Sequence, residues 1–336
     1  MIVIGSKALT FRLQRTDEVV NRCLKADYDV LMSQDEFHKW YSLNRKYILK
    51  IYPTQLNKYK AVALKNEERK QYEIEIATEG SSAKLLLDNA EAVTDFVIDG
   101  FLDDQFATLT PEYQMLTKRS HLVYPVHFEK NMDDYNLLRK MANKSEHDGL
   151  MQEYYFLRSE EAKERYSKFK TPKLNVSNED FFSSKLAVKN YFIHDDIHEV
   201  MKHHEKPVYE MMKKDFTMAK CEKDLFFELP YTYQLQAVQE EAYTIALERY
   251  IIPQAGEDWM DYFNCYKKAL KRICTTLCSG WFRDFAIDNY EEAIHQYSSL
   301  FVDKFWSSYK SGKIKLIEGR ELPRSSIYEL DAHKMK

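Results

Sequence analysis

Glycine and proline are scarce, eight of each in 336 residues. That shortage argues against a sandwich or barrel, whose many turns depend on both, and for long helices. Cysteine is sparse and unpatterned: Cys23, Cys221, Cys265, Cys274 and Cys278 are scattered, odd in number and without a CxxC. Reduced thiols in a cytoplasmic protein fit that usage best. No apolar run reaches the roughly 18 residues of a membrane helix. The opening Met-Ile-Val-Ile-Gly-Ser-Lys has neither a basic n-region nor a long apolar one, which predicts no signal peptide and no membrane partner. Net charge is only −4 and the pI is near 6.2, so overall electrostatics do not predict nucleic-acid binding, a local basic patch aside. Internal repeats and low-complexity linkers are absent as well.

What is present is enough apolar residue, 44%, to bury a sizeable core, over a length that predicts two domains or one with a large extension. Two rhythms divide the chain. Residues 1 to about 105 alternate quickly. MIVIGS is a short buried strand running into a turn, ADYDVLM has period-2 character, QDEFHKWYSLN has helical spacing, and YILKIYP and KAVAL are short strands around a turn. QYEIEIA alternates cleanly, with Tyr72, Ile74 and Ile76 on one face and Glu73 and Glu75 on the other. SSAKLLLDN follows as a helix with Ser81 or Ser82 at its N-cap. From about 108 the periods are helical, beginning with Thr110 as N-cap and Pro111 at the first helical position. The expected architecture is α+β: a small mixed sheet with helices over 1–105, an α-helical domain over 106–310, and a polar tail over 311–336.

Asp27 and Asp29 are two residues apart on a strand-like run, so both point to one face. Ionised carboxylates held that close repel unless a cation sits between them. Hard divalent cations, Mg²⁺ or Mn²⁺, take such oxygen ligands and usually bring phosphates with them. Glu73 and Glu75 form a second same-face pair. If the two strands adjoin, three or four carboxylates meet at one sheet edge, the layout for two metal ions about 4 Å apart in phosphoryl chemistry. Gly5 and Ser6 then have a role, since a turn leading into a helix near Lys7 presents N–H groups and a hydroxyl to phosphate. Read alone, each feature is as well a solvated strand face or an ordinary turn; the conjunction carries the weight.

At these residues the chain resembles the DNA polymerase β-like nucleotidyltransferase superfamily, whose pattern is Gly-Ser, then Asp-x-Asp, then a third acidic residue on a later strand. The matching positions are Gly5-Ser6, Asp27-Tyr28-Asp29, and Glu75 or, second, Glu73. More narrowly, it is similar to a group of large phage and bacterial proteins that join such a domain to a helical region. Here that region carries TKRSHL (117–122), FIHDDIHEV (192–200) and CSGWFRDFAIDNY (278–290). The resemblance implies Mg²⁺-dependent, two-metal transfer of a nucleoside monophosphate from an NTP to an acceptor: an RNA, a protein or a small molecule. Asp27, Asp29 and Glu75 would hold metal, and Ser6 and Lys118 the triphosphate. The stretch FRLQRTDEVVNRCLKA (11–26) separates Ser6 from Asp27 by more than compact members allow and has to loop out.

The helical half offers further candidates. Lys118, Arg119 and His121 lie on the first helix after the sheet, either as phosphate ligands or as a solvated basic turn. His194 and His198 are i, i+4 beside Asp195, a spacing that holds a transition metal. A metal-dependent phosphohydrolase centred there is the alternative enzyme, a polar helix face the plainer answer, and a non-catalytic binding protein a third reading. Arg249 falls within an apolar helical stripe, and Arg283 sits among Ile287 and Tyr290. A guanidinium so placed needs a carboxylate, for example Glu241 or Asp284, or a phosphate.

Overall fold

The computed structural model describes residues 1–14, 26–143, 148–167, 223–246, 262–275 and 280–295. The α+β expectation is met: a seven-stranded mixed sheet with helices occupies the N-terminal part, and the described residues beyond it are helical. The chain divides into two compact units, residues 1–122 with 127–169, and residues 123–126 with 170–336. This division falls elsewhere than the change of rhythm at 105, because the helices of 111–167 pack on the sheet.

The sheet of the first unit runs in the order β3-β4-β5-β2-β1-β7-β6. Its strands are β1 (Ile2–Ile4), β2 (Tyr28–Met32), β3 (Ile48–Gln55), β4 (Lys58–Lys65), β5 (Glu68–Ile76), β6 (Thr94–Asp99) and β7 (Gln105–Leu109). The pairs β1–β7 and β2–β5 are parallel and the other four antiparallel. Two hairpins build β3-β4-β5, and their turns use residues that tolerate the left-handed region. Asn57 has φ 58°, and Asn66 and Glu67 have φ 50° and 65°, the positive-φ pair that matches a hairpin's twist.

Alternation gives each sheet face its own core. Val3, Tyr28, Val30, Met32, Tyr72, Ile74 and Ile76 face one way, where α2 (Gln34–Asn44) covers them with Phe37 and Trp40. That helix starts with a capping box between Ser33 and Glu36. Ile2, Ile4, Leu31 and Leu109 face the other way. Residues of α3 (Ser82–Asp88), α5 (Pro111–His121) and α7 (Gly149–Ser167) cover them, among them Leu86, Tyr113, Leu116 and Tyr154. The remaining helices of this unit are α1 (Gly5–Gln14), the short α4 (Ala90–Val93) and α6 (Phe128–Met141). Ser81 is the N-cap of α3, accepting from the Lys84 N–H, and Pro111 opens α5 after Thr110.

The second unit is described over five helices: α8 (Lys223–Glu228), α9 (Tyr231–Ala246), α10 (Tyr262–Thr275), α11 (Gly280–Asp288) and α12 (Tyr290–His295). Phe226 packs against the rings of Trp281, Phe282 and Phe285, which ties α8 to α11. Cys265 and Cys274 are buried and not joined in a disulfide. Among the described residues no helix is long and apolar enough to cross a membrane.

Candidate functional site

On the face that carries Leu31, the apolar cover ends as β2 and β5 run back toward residues 27 and 73. The parallel register sets Asp29 beside Glu73 and Leu31 beside Glu75, and β4 continues each row with Lys60 opposite Glu73 and Lys58 opposite Glu75. A strip of Lys60, Glu73 and Asp29 therefore crosses three strands, and Asp27, just before β2, lines the same cleft. Polar residues at a half-covered sheet end leave a cleft of about 640 Å³. It is lined by four acidic side chains (Asp27, Asp29, Glu73, Glu75) and six basic ones (Lys58, Lys60, Lys118, Lys130, Arg158, Arg165). The excess of cations in a chain of negative net charge suits an anionic ligand.

Gly5 explains how the cleft closes on Asp29. Its φ is +75°, and a Cβ built on it would stand 2.1 Å from Asp29 Oδ2. Only glycine allows that approach. Helix α1 begins at Gly5, two residues before the expected start near Lys7. Asp27 and Asp29 are half-buried and have no hydrogen-bond or ion-pair partner among the described residues. Burial and then the Glu73 charge push the Asp29 carboxyl up to about 6 against the attraction of Lys118 and Lys130. Burial likewise raises Asp27 above the ordinary carboxylate range, with Lys60 opposing and Glu73 reinforcing.

The two glutamates differ. Glu73 meets Lys60 at 2.9 Å at the cleft's open side, with Arg165 at 4.0 Å. Glu75 is held by Arg158 at 3.1 Å and Lys58 at 3.0 Å. Burial would raise its carboxyl, but these two cations outweigh it and bring it down to about 2. The Arg158 guanidinium also reaches Glu161 and Ser82. Glu75 is thus committed to a buried ion network, and Glu73 stands as the register partner of Asp29.

Ser6 and Lys118 reach the cleft wall but face an acid. Lys118 Nζ pairs with Asp134 at 2.8 Å, and the Ser6 hydroxyl donates to the same carboxylate at 3.1 Å and accepts from Lys118 at 3.2 Å. Asp134 is fully buried. His121 lines the cleft and is kept neutral, by burial first and then by Arg158, Lys118, Arg165 and Lys58. Lys7 points elsewhere, over the rings of Phe11 and Tyr28. Arg119 donates to the Tyr135 hydroxyl and lies over Tyr155. Neither lines the cleft. Arg283 belongs to the second unit, half-buried, its Nε without a hydrogen-bond partner among the described residues. Arg249 and the His194, Asp195 and His198 cluster lie outside the described residues, as do the 311–336 tail and most of the 11–26 stretch.

Sequence reasoning missed Lys58, Lys60, Lys130, Asn131, Arg158 and Arg165. Two of these pairs carried a signal. Lys58 and Lys60 share strand parity, and Arg158 and Arg165 are seven apart on α7, hence on one helix face.

Among the described residues no three His, Cys, Asp or Glu side chains converge as a ready cage. Yet Asp29 is an uncompensated carboxylate at the cleft, with Asp27 and Glu73 adjacent, and oxygen donors of this kind suit a hard divalent cation. The donor set fits such an ion.

A family model described as a domain of unknown function (DUF7275) matches residues 113–306, more than half of the chain. A second, also a domain of unknown function (DUF7277), matches residues 1–90. The cleft draws its carboxylates from the second match and Lys118, Lys130, Arg158 and Arg165 from the first. No curated protein and no solved structure matches the chain.

Proposed function

We propose, for a chain that belongs to the family described as a domain of unknown function (DUF7275), that the cleft of the first unit is a nucleotidyltransferase site. It would transfer a nucleoside monophosphate from an NTP to an acceptor hydroxyl. The acceptor oxygen forms the new bond to the α-phosphorus, pyrophosphate leaves, and the hydroxyl proton is released. The observation that carries this reading is the adjacency of Gly5, Asp29 and Glu73: Gly5 closes on Asp29, and the parallel register sets Asp29 beside Glu73. These are the elements on which the superfamily resemblance rests.

Asp27, Asp29 and Glu73 would hold Mg²⁺ or Mn²⁺, which supplies charge neutralisation at the phosphates and a more acidic acceptor hydroxyl. The cationic wall of Lys58, Arg158 and Arg165 lowers the cost of bringing a polyanion against four carboxylates. Glu75, tied to Arg158 and Lys58, positions that wall rather than binding metal. His121, kept neutral, can offer a hydrogen bond without adding charge. The acceptor is an RNA end, a protein hydroxyl or a small molecule, three classes that a labelling experiment separates.

The test is incubation of the full chain with each α-labelled NTP, Mg²⁺ or Mn²⁺, and cell extract. Label should enter an acceptor in wild type and be lost in both Asp27→Asn and Asp29→Asn. Label transfer that survives Asp29→Asn, or no transfer with any NTP and either metal, sinks the proposal.

A further inference from the structure

The start of α6 forms the cleft's other wall, and no part of the sequence reading pointed to it. Three of its residues, His127, Lys130 and Asn131, line the cleft. His127 sits at the N-cap in the left-handed region, φ 55°, and no side chain caps the helix. The helix has 14 residues, long enough for its N-terminal dipole to be developed. Asn131 is only 6% exposed. Its side-chain amide has no hydrogen-bond partner among the described residues, although it borders the cleft. A buried amide left open toward a cavity is costly unless something in the cavity satisfies it. Lys130 is exposed, borders the same space and has no ion-pair partner among the described residues. It contrasts with Lys58, Lys60, Lys118, Arg158 and Arg165, each of which already meets a carboxylate.

We infer that the start of α6 is a phosphate-chain subsite, in which Lys130, the Asn131 amide and the α6 N-terminus hold the β- and γ-phosphates of the substrate. An uncapped helix N-terminus with an ammonium and an amide beside it is a fitting receptor for phosphate oxygens. The subsite also lies beside the carboxylates, since Asp27 and Asp29 both feel the Lys130 charge. A phosphate chain there would run alongside the acidic strip. Ser6 and Lys118, which the family resemblance assigns to the triphosphate, have their polar atoms taken up by Asp134. The inference deepens the nucleotidyltransferase reading and rests on it for the identity of the ligand, but not for the existence of the subsite.

The experiment is calorimetric titration of tripolyphosphate into the full chain in EDTA, so that no metal contributes, with AMP as the second arm. Wild type should bind tripolyphosphate. Lys130→Gln should weaken it roughly tenfold, as for loss of one charge-assisted contact. Asn131→Asp, equal in size but anionic, should weaken it at least as much. AMP affinity should be the same in all three proteins. Lys130 is exposed, so its variant remains decisive if Asn131→Asp fails to fold. Equal tripolyphosphate affinity in wild type and Lys130→Gln overturns the subsite, and so does an absence of binding to wild type. An equal loss of AMP affinity would assign these residues to a single phosphate and overturn the chain assignment. In each of those cases nucleotidyl transfer is decided separately, by the label assay.

Discussion

Gly5 and Asp29 are in contact: a side chain on Gly5 would begin 2.1 Å from Asp29 Oδ2, on a backbone with φ +75°. Gly5→Ala therefore carries two costs. The left-handed backbone costs about 1–2 kcal/mol, and the collision with the carboxylate adds about 1–3 kcal/mol. In an Asp29→Ala background the closest contacts, to the carboxyl oxygen and carbon, are gone, so the backbone part and the remaining 3.2 Å contact with the residue-29 Cβ are what is left. Urea denaturation of the four proteins of this cycle measures the coupling. Additive losses would show that the two residues do not press on each other.

The raised Asp29 carboxyl gives a pH signature of definite sign. Its folded value is about 6 against an ordinary 3.8. Between these values the folded protein binds more protons than the unfolded chain, so this group's contribution to stability falls as pH rises from about 4 to about 6. Asp29→Asn cannot ionise and is spared that loss. In EDTA the variant should gain on wild type by about 1–3 kcal/mol between pH 4 and pH 7. Mn²⁺ should reverse the order at pH 7 by binding the wild-type carboxylate and releasing protons. Parallel pH curves for the two proteins in EDTA would refute the burial of this carboxyl.

Glu73 and Glu75 should separate by assay. Glu75→Gln leaves the buried Arg158 guanidinium with Glu161 as its remaining carboxylate, a loss of about 3 kcal/mol of stability. The wild-type carboxyl, held near 2 against an ordinary 4.5, contributes stability at neutral pH that disappears as pH falls from about 5 to about 2. Glu73→Gln, at the open side of the cleft, should cost under about 1 kcal/mol but weaken Mn²⁺ binding, read by the electron paramagnetic resonance of the free ion. A stable Glu75→Gln protein that has lost Mn²⁺ binding would restore Glu75 as the metal ligand.

How much of this was legible depended on the range of the forces involved. Where neighbours in sequence decide, the residues spoke plainly. The alternation of QYEIEIA put Tyr72, Ile74 and Ile76 in the core, and Ser81 and Pro111 marked the starts of their helices. β6 and β7 gave no clear signal: they are short, and β7 is held between its neighbour β6 and β1, the latter about a hundred residues away. The acidic strip was half legible. Same-face parity is a local property of each strand, but the ion pair that sets Glu75 apart from Glu73 comes from Arg158, which lies 83 residues beyond Glu75. Lys118 shows the same limit, since no local pattern names Asp134 as its partner.

That partnership sets the last expectation. Asp134 is completely buried and Lys118 nearly so, with the Ser6 hydroxyl bridging them. Lys118→Met removes the ammonium that pairs with a fully buried carboxylate, and should cost about 3–5 kcal/mol. Asp134→Leu takes the carboxylate from the buried ammonium in the same way. Replacing both at once, Lys118→Met with Asp134→Leu, removes both buried charges and should recover most of the loss, since a packed apolar pair is often as stable as a buried ion pair. The recovery is measured as the coupling in a double-mutant cycle, with nucleotide affinity followed in parallel. If Lys118 only pairs with Asp134, the double variant should fold and keep its tripolyphosphate affinity. A well-folded double variant that no longer binds the phosphate chain would return Lys118 to the ligand set and show that its ammonium leaves Asp134 when substrate enters.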